Sequence, residues 1–153
     1  MRWHYRDPAL VWLFVGAYAA HLVEEFFGGF LEWFGLVAGR PLPQTAFIAI
    51  NAIALVAMIA AARAATRRES LGWLAIAIAT VLLVNGTAHL LGSLAFGSYS
   101  PGLITGVVLY LPLGQLALIR AWHQTEPSFF WRGVGAGLVA HAIVVVVALA
   151  ASS

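Results

Sequence analysis

The sequence predicts an all-α fold: a polytopic membrane protein built as a bundle of five transmembrane helices, with the N-terminus cytoplasmic and the C-terminus outside. Three observations predict it. Of 153 residues, 62% are hydrophobic and 9% charged, against about 25% charged in an ordinary soluble domain. Five apolar runs are long enough to cross a hydrocarbon core, which takes ~20 helical residues for ~30 Å. Once those runs are threaded through a bilayer, seven of the eight arginines fall on one side. The composition excludes a water-soluble enzyme, a disordered tail, a coiled coil and a nucleic-acid binder, and a net charge of +2 marks no phosphate-binding patch. Cysteine is absent, which excludes disulfides, thiolate metal sites and thiol nucleophiles.

The first span, residues 9–27, carries His21, Glu24 and Glu25 where a cleavable signal peptide would be apolar, so it reads as a retained helix. Gly28-Gly29 closes it. A short stretch with Trp33 and Phe34 follows before Pro41 and Pro43, suited to lying in the interface plane. The other spans are residues 45–62, 71–96, 101–122 and 129–151, and together the five leave a single transmembrane domain over 1–153. Ser100-Pro101 reads as an N-cap with proline at the first helical position of span four, and Pro112 should distort that span. Gln124-Thr125-Glu126-Pro127 is a polar break before span five. One side receives Arg2, Arg6, Arg63, Arg67, Arg68, Arg120 and Arg132, the other only Arg40, a positive-inside asymmetry. Trp3, Trp12, Trp73, Trp122 and Trp131 fall near the cytoplasmic ends and Trp33 near the outer end, as an aromatic belt requires.

Against this background a few polar residues stand out. Span one has Tyr18, His21, Glu24 and Glu25; span two has Asn51; span three has Asn85 and His89; span four has Thr105, Tyr110 and Gln115; span five has His141. Ionisable groups at membrane depth cost ~2.5–3.5 kcal/mol each on insertion scales and face a bundle interior or a wet cavity. His21 shares a helical face with Glu24 (i,i+3) and Glu25 (i,i+4), and Asn85 shares one with His89 (i,i+4). Counting ~1.5 Å per residue from the cytoplasmic ends puts His21 and His141 ~18 Å up, Asn51 and Asn85 ~21 Å, the glutamates ~22–24 Å and His89 ~27 Å. All lie in the outer half of the bilayer, and the expectation is one site.

Imidazole and carboxylate together bind Zn, Fe, Mn or Co. His21, His89 and His141 with Glu25 would complete a catalytic-type sphere that keeps an open position, for a divalent metal, Zn or Fe, as one or two ions. Adjacent glutamates lie ~100° apart on a helix. One of Glu24 and Glu25 would therefore ligate, while the other orients a histidine or acts as general base. Asn51 and Asn85 suit hydrogen bonds to ligands or substrate. The bland alternatives are a structural network at His21/Glu24/Glu25, an interhelical clamp at Asn85/His89, and a backbone-bonded His141. Tyr110 and Gln115 read as packing groups. Gly102-x-x-x-Gly106 and Gly133-x-x-x-Gly137 allow close helix approach, within the chain or between two copies as a homodimer.

At His21-Leu22-Val23-Glu24-Glu25 and Asn85-Gly86-Thr87-Ala88-His89 the chain resembles the bacterial HXXEE-motif membrane proteins, small multi-span proteins defined by HxxEE and NxxxH motifs. Phe30-Leu31-Glu32-Trp33 is similar to their aromatic stretch after the first motif, with Leu31 where a proline is expected. Tyr99-Ser100-Pro101-Gly102 with Thr105 resembles a further motif at the start of span four. The resemblance implies a multi-pass protein of the bacterial cytoplasmic (inner) membrane and supports His21, Glu24, Glu25, Asn85 and His89 as site residues. It implies no particular reaction.

The leading expectation is a metal-dependent integral membrane enzyme, a hydrolase or oxidoreductase, acting among membrane lipids on a lipid or small apolar substrate, with no nucleic-acid partner. The rival is a proton-coupled small-molecule or ion transporter that uses the same acids and histidines as a relay. A third reading is a non-catalytic binding or assembly subunit.

Overall fold

The structure, a computed structural model, describes residues 4–152; Arg2 and Trp3, both invoked for orientation, lie outside them. In chain order the elements are α1 (Pro8–Gly28), α2 (Phe30–Ala38), α3 (Gln44–Arg67), a 3-10 turn (Glu69–Leu71), α4 (Trp73–Phe96), α5 (Leu103–Thr105), a π turn (Gly106–Tyr110), α6 (Leu111–Gln124) and α7 (Pro127–Ala151). α5, the π turn and α6 run on as one rod, Leu103–Gln124. With α1, α3, α7 and α4 extended by its 3-10 turn, that makes five helices long and apolar enough to cross a membrane.

Local chemistry accounts for the boundaries. Asp7 caps α1, its Oδ1 accepting from the Ala9 N–H at 2.9 Å, and Pro8 takes the first helical position, where a missing N–H costs nothing. Gly29 at φ +86° both ends α1 and opens α2, a left-handed conformation that glycine adopts without strain. α3 continues five residues past the expected 62, through Arg63 and Arg67, since arginine is a good helix former. The distortion expected at Pro112 takes the form of the π turn. Proline cannot donate to the carbonyl of Val108, and the Leu111 N–H reaches back to the Gly106 carbonyl.

α4 is the hub, packing against α1, α3, the fourth span and α7. Small residues make the close approaches. A Cβ on Gly133 would meet Ile76 Cβ at 2.6 Å, and one on Gly137, a turn later, would meet the Ala77 carbonyl oxygen at 2.5 Å. α7 and α4 therefore run parallel. Against the fourth span the order reverses: Gly106 lies on Gly86, and Gly114 on Ala79 and Leu83, so those two rods are antiparallel. Both Gly-x-x-x-Gly faces are thus consumed inside the chain. Val11, Phe14, Ala62, Ala79 and Leu82 are fully buried between the rods, whereas Phe27, Ile53, Leu94 and Val146 are exposed on the outside.

Among the described residues, the arginines other than Arg40 gather at one end. Arg6 pairs with Glu69 at 3.0 Å, the Tyr5 N–H donates to Gln124 Oε1 at 3.0 Å, and the Arg132 guanidinium lies 4.5 Å over the Trp73 ring. These contacts bring the N-terminal segment, the α3–α4 turn and the α6–α7 turn together. The polar cluster lies toward the opposite end, where α1 and α4 finish.

Candidate metal centre

His21 and Glu25 stand one turn apart on α1, and α4 brings His89 to the same point. One carboxylate oxygen, Glu25 Oε1, lies 3.5 Å from His21 Nε2 and 3.3 Å from His89 Nε2. The imidazoles meet edge to face, with ring centroids 4.8 Å apart. All three side chains are buried, and their donor atoms fall within 4.8 Å of one another, a grouping that could hold a metal ion. The separations are informative. An N–H···O bond normally closes to 2.7–3.2 Å, whereas ligands at ~2.0–2.1 Å from a tetrahedral zinc stand ~3.3 Å from one another.

The far nitrogens of both rings are tied to hydroxyls of the turn that opens the fourth span. His21 Nδ1 is 2.7 Å from Thr105 Oγ1, and His89 Nδ1 is 2.9 Å from Ser100 Oγ. Between them Gly102 adopts φ +104°, and a Cβ there would lie 2.7 Å from Cε1 of each imidazole. Only glycine allows this turn to fold down onto both rings.

Glu24 points away from its neighbour, as the ~100° offset requires. Its Oε1 accepts from the Tyr99 hydroxyl at 2.5 Å and from the N–H groups of Gly102 and Ile104 at 3.2 and 2.8 Å; its Oε2 accepts from the Thr105 N–H at 2.7 Å and hydroxyl at 2.5 Å. First-turn N–H groups have no partner within their own helix, and here a carboxylate from α1 supplies it. Ser100 is accordingly not the N-cap that the sequence predicts. Its hydroxyl serves His89 instead, and its own N–H donates to Ser93 Oγ at 2.8 Å. Burial and the adjacent Glu24 carboxylate push the Tyr99 phenol up to about 12, so it remains a donor at neutral pH.

Aromatic rings wall the centre. Tyr110 stacks on His21 at 4.4 Å and is 1% exposed, and its hydroxyl has no hydrogen-bond partner among the described residues. Phe30 and Trp33 of α2 lie 5.9 and 6.3 Å from the His89 ring. Trp33 also covers Gly92, where a Cβ would strike its ring at 2.9 Å.

The remaining sequence candidates are not among the three clustered donors. Asn51 accepts from the Tyr18 hydroxyl at 2.8 Å and donates to its own helix at Phe47 O, so it pins α3 to α1. Asn85 keeps a buried Oδ1 without a hydrogen-bond partner among the described residues. His141 does not join His21, Glu25 and His89. Gly137, one turn before His141, touches α4 at Ala77 and Thr80. With Gly137 against Thr80, the parallel register of α7 leaves His141 ~8 Å short of His89 along the axis. Reasoning from spacing missed Gly102, Ser100 and Tyr110. The one available signal was the Tyr99–Thr105 segment, where hydroxyls and a glycine cluster just ahead of an apolar run.

A family described as "Protein of unknown function with HXXEE motif" matches residues 12–117, which include every member of the cluster. No curated protein and no solved structure matches the chain.

Proposed function

The chain belongs to the HXXEE-motif family, and from the convergence of His21, Glu25 and His89 we propose that it is a metal-dependent integral membrane hydrolase acting on a lipid or small apolar substrate. The observation that carries this reading is the pair of imidazole Nε2 atoms set 3.3 and 3.5 Å from a single carboxylate oxygen. Two histidines and one glutamate are a donor set of catalytic zinc sites, in which the fourth position stays open. Three donors serve one ion, with zinc the first candidate and iron the second. Such an ion supplies Lewis-acid chemistry. The chain's own side chains do the rest: Thr105 and Ser100 hold the rings, Phe30, Trp33 and Tyr110 exclude water, and the unpartnered Tyr110 hydroxyl offers a hydrogen bond to a substrate oxygen.

The arginine-rich end supports a cytoplasmic N-terminus, which sets the centre in the outer half of a bacterial inner membrane. An apolar groove of about 310 Å³ between α1 and α3, lined by Leu22, Phe26, Phe47 and Leu55, borders the turn of α1 that carries His21 and Glu25. It suits an acyl chain better than a polar solute.

Metal analysis of the detergent-purified protein tests the reading. About one divalent ion per chain is expected, lost in Glu25→Ala and His89→Ala, together with metal-dependent hydrolysis of lipid esters. A protein that takes up neither zinc nor iron, yet supports proton-coupled flux in proteoliposomes that vanishes in Glu25→Gln, would overturn it in favour of transport.

A further inference from the structure

We infer that Glu24, acting through Thr105, is a positioning residue that sets the tautomer of His21 and so decides which of its nitrogens faces Glu25. The inference deepens the metal-site reading and rests on it only for its consequence in metal affinity. Its geometry stands independently.

A threonine hydroxyl has one proton to give and lone pairs to receive with. Thr105 Oγ1 touches two groups closely, Glu24 Oε2 at 2.5 Å and His21 Nδ1 at 2.7 Å. Five donor contacts converge on the two oxygens of Glu24, from Tyr99, Gly102, Ile104 and twice from Thr105. The carboxylate therefore acts as an acceptor throughout and takes the Thr105 proton. Oγ1 can then only accept from His21, which requires the hydrogen of that ring to sit on Nδ1. In the neutral imidazole the other nitrogen carries a lone pair. That nitrogen, Nε2, is buried, has no hydrogen-bond partner among the described residues, and is aimed at Glu25. The chain of contacts from Glu24 through Thr105 to His21 thus presents a bare lone pair to the centre from a residue that never touches it. Metal-bound histidines are commonly oriented in this way by a partner on the far nitrogen, and loss of that partner typically weakens metal affinity 10–100-fold.

The sequence accounts for the pairing. Glu24 and Glu25 are neighbours on α1 and differ only in azimuth, so one reaches the histidines directly and the other reaches the turn at Thr105 that holds one of them. In this reading the second glutamate of the motif holds the ion and the first sets the ligand.

Two measurements test it. Nitrogen-15 NMR of the metal-free wild-type protein, labelled at histidine, reads the His21 tautomer directly, with assignment by His21→Gln. A proton on Nδ1 is expected, and a proton on Nε2 overturns the inference whether or not the protein ever binds zinc. Zinc affinity measured by chelator competition gives the second readout. Thr105→Val, which removes the hydroxyl, is expected to weaken binding 10–100-fold, and Thr105→Ser, which keeps it, to restore affinity to within about threefold of wild type. Equal affinity in Thr105→Val and wild type overturns the inference. If wild type binds neither zinc nor iron, the metal-site reading fails alone, and the NMR result still decides the role of Glu24.

Discussion

His21 and His89 lie on separate spans, yet their rings meet edge to face at 4.8 Å, and both direct Nε2 at the same oxygen of Glu25. Neither ring packs there for shape alone, because two imidazoles and a carboxylate in an apolar bundle carry a desolvation cost that a void or a leucine would not. Removing the shared carboxylate should therefore show what the histidines are for. Glu25→Ala is expected to abolish zinc uptake, whereas Glu24→Ala should reduce affinity by no more than ~100-fold, the size of effect expected for a residue acting through a ligand's far nitrogen. Metal stoichiometry and chelator competition on the two variants separate them.

Gly102 makes a sharper test of the turn. Alanine there must adopt φ +104° and place a methyl 2.7 Å from Cε1 of both imidazoles. The backbone strain costs about 1–3 kcal/mol, and the methyl pushes the rings apart. Gly102→Ala is expected to lose metal binding while still folding at reduced thermal stability. Metal content and a melting curve on one preparation check both halves of the expectation.

How much of this could be read in advance depends on whether the geometry is local. The spans were legible because ~20 apolar residues in a row mean the same thing wherever they occur. The pairing of His21 with Glu25 was legible because i,i+4 is a property of a single helix. Depth also placed His89 near them. Depth gives height to within several ångströms and no azimuth, and for that reason His141 was grouped with three donors that it does not join. Which glutamate faced the histidines was open for the same reason. Gly102, Ser100 and Tyr110 escaped because their roles arise from a turn folding back onto two other helices. Their sequence signals, a close-approach glycine, a cap and a packing aromatic, each had an ordinary local meaning.

Tyr99 provides a pH-dependent expectation. Its pKa in the folded protein is raised, to about 12, above the ordinary ~10. The folded state therefore holds the phenolic proton more tightly than the unfolded chain does. The stability this contributes is fully present below pH ~10 and is lost as pH rises through about 12. The tie to Glu24 should be indifferent to pH through the neutral range. Between pH ~10 and about 12 wild type should lose more stability than Tyr99→Phe, which lacks the titrating group. Thermal melts of both proteins across that window check the prediction.

The small-residue faces make a claim about folding rather than assembly. Gly137 packs on α4 so closely that a Cβ would meet the Ala77 carbonyl at 2.5 Å. Gly137→Val should force α7 off α4 at a cost of about 1–3 kcal/mol, the range for overpacked cores. Because the face is occupied within one chain, the detergent-corrected mass of that variant by light scattering should equal that of wild type. A fall in mass with stability unchanged would instead place the glycine at a contact between copies.

Ligand linkage gives a test that needs no substrate. An ion that binds the folded bundle and not the unfolded chain stabilises it by RT ln(1 + [L]/Kd), about 2.7 kcal/mol at a hundredfold excess over Kd. Chelator-stripped wild type should therefore melt higher when zinc is restored, with a shift that grows with the logarithm of zinc concentration. Glu25→Ala and His89→Ala should show no such dependence, since each leaves only two of the three donors. His141→Ala should retain it in full, because His141 is not among the three donors that converge. Thermal melts of these four proteins against a zinc series check the assignment of ligands. A shift that disappears in His141→Ala would return that residue to the coordination sphere.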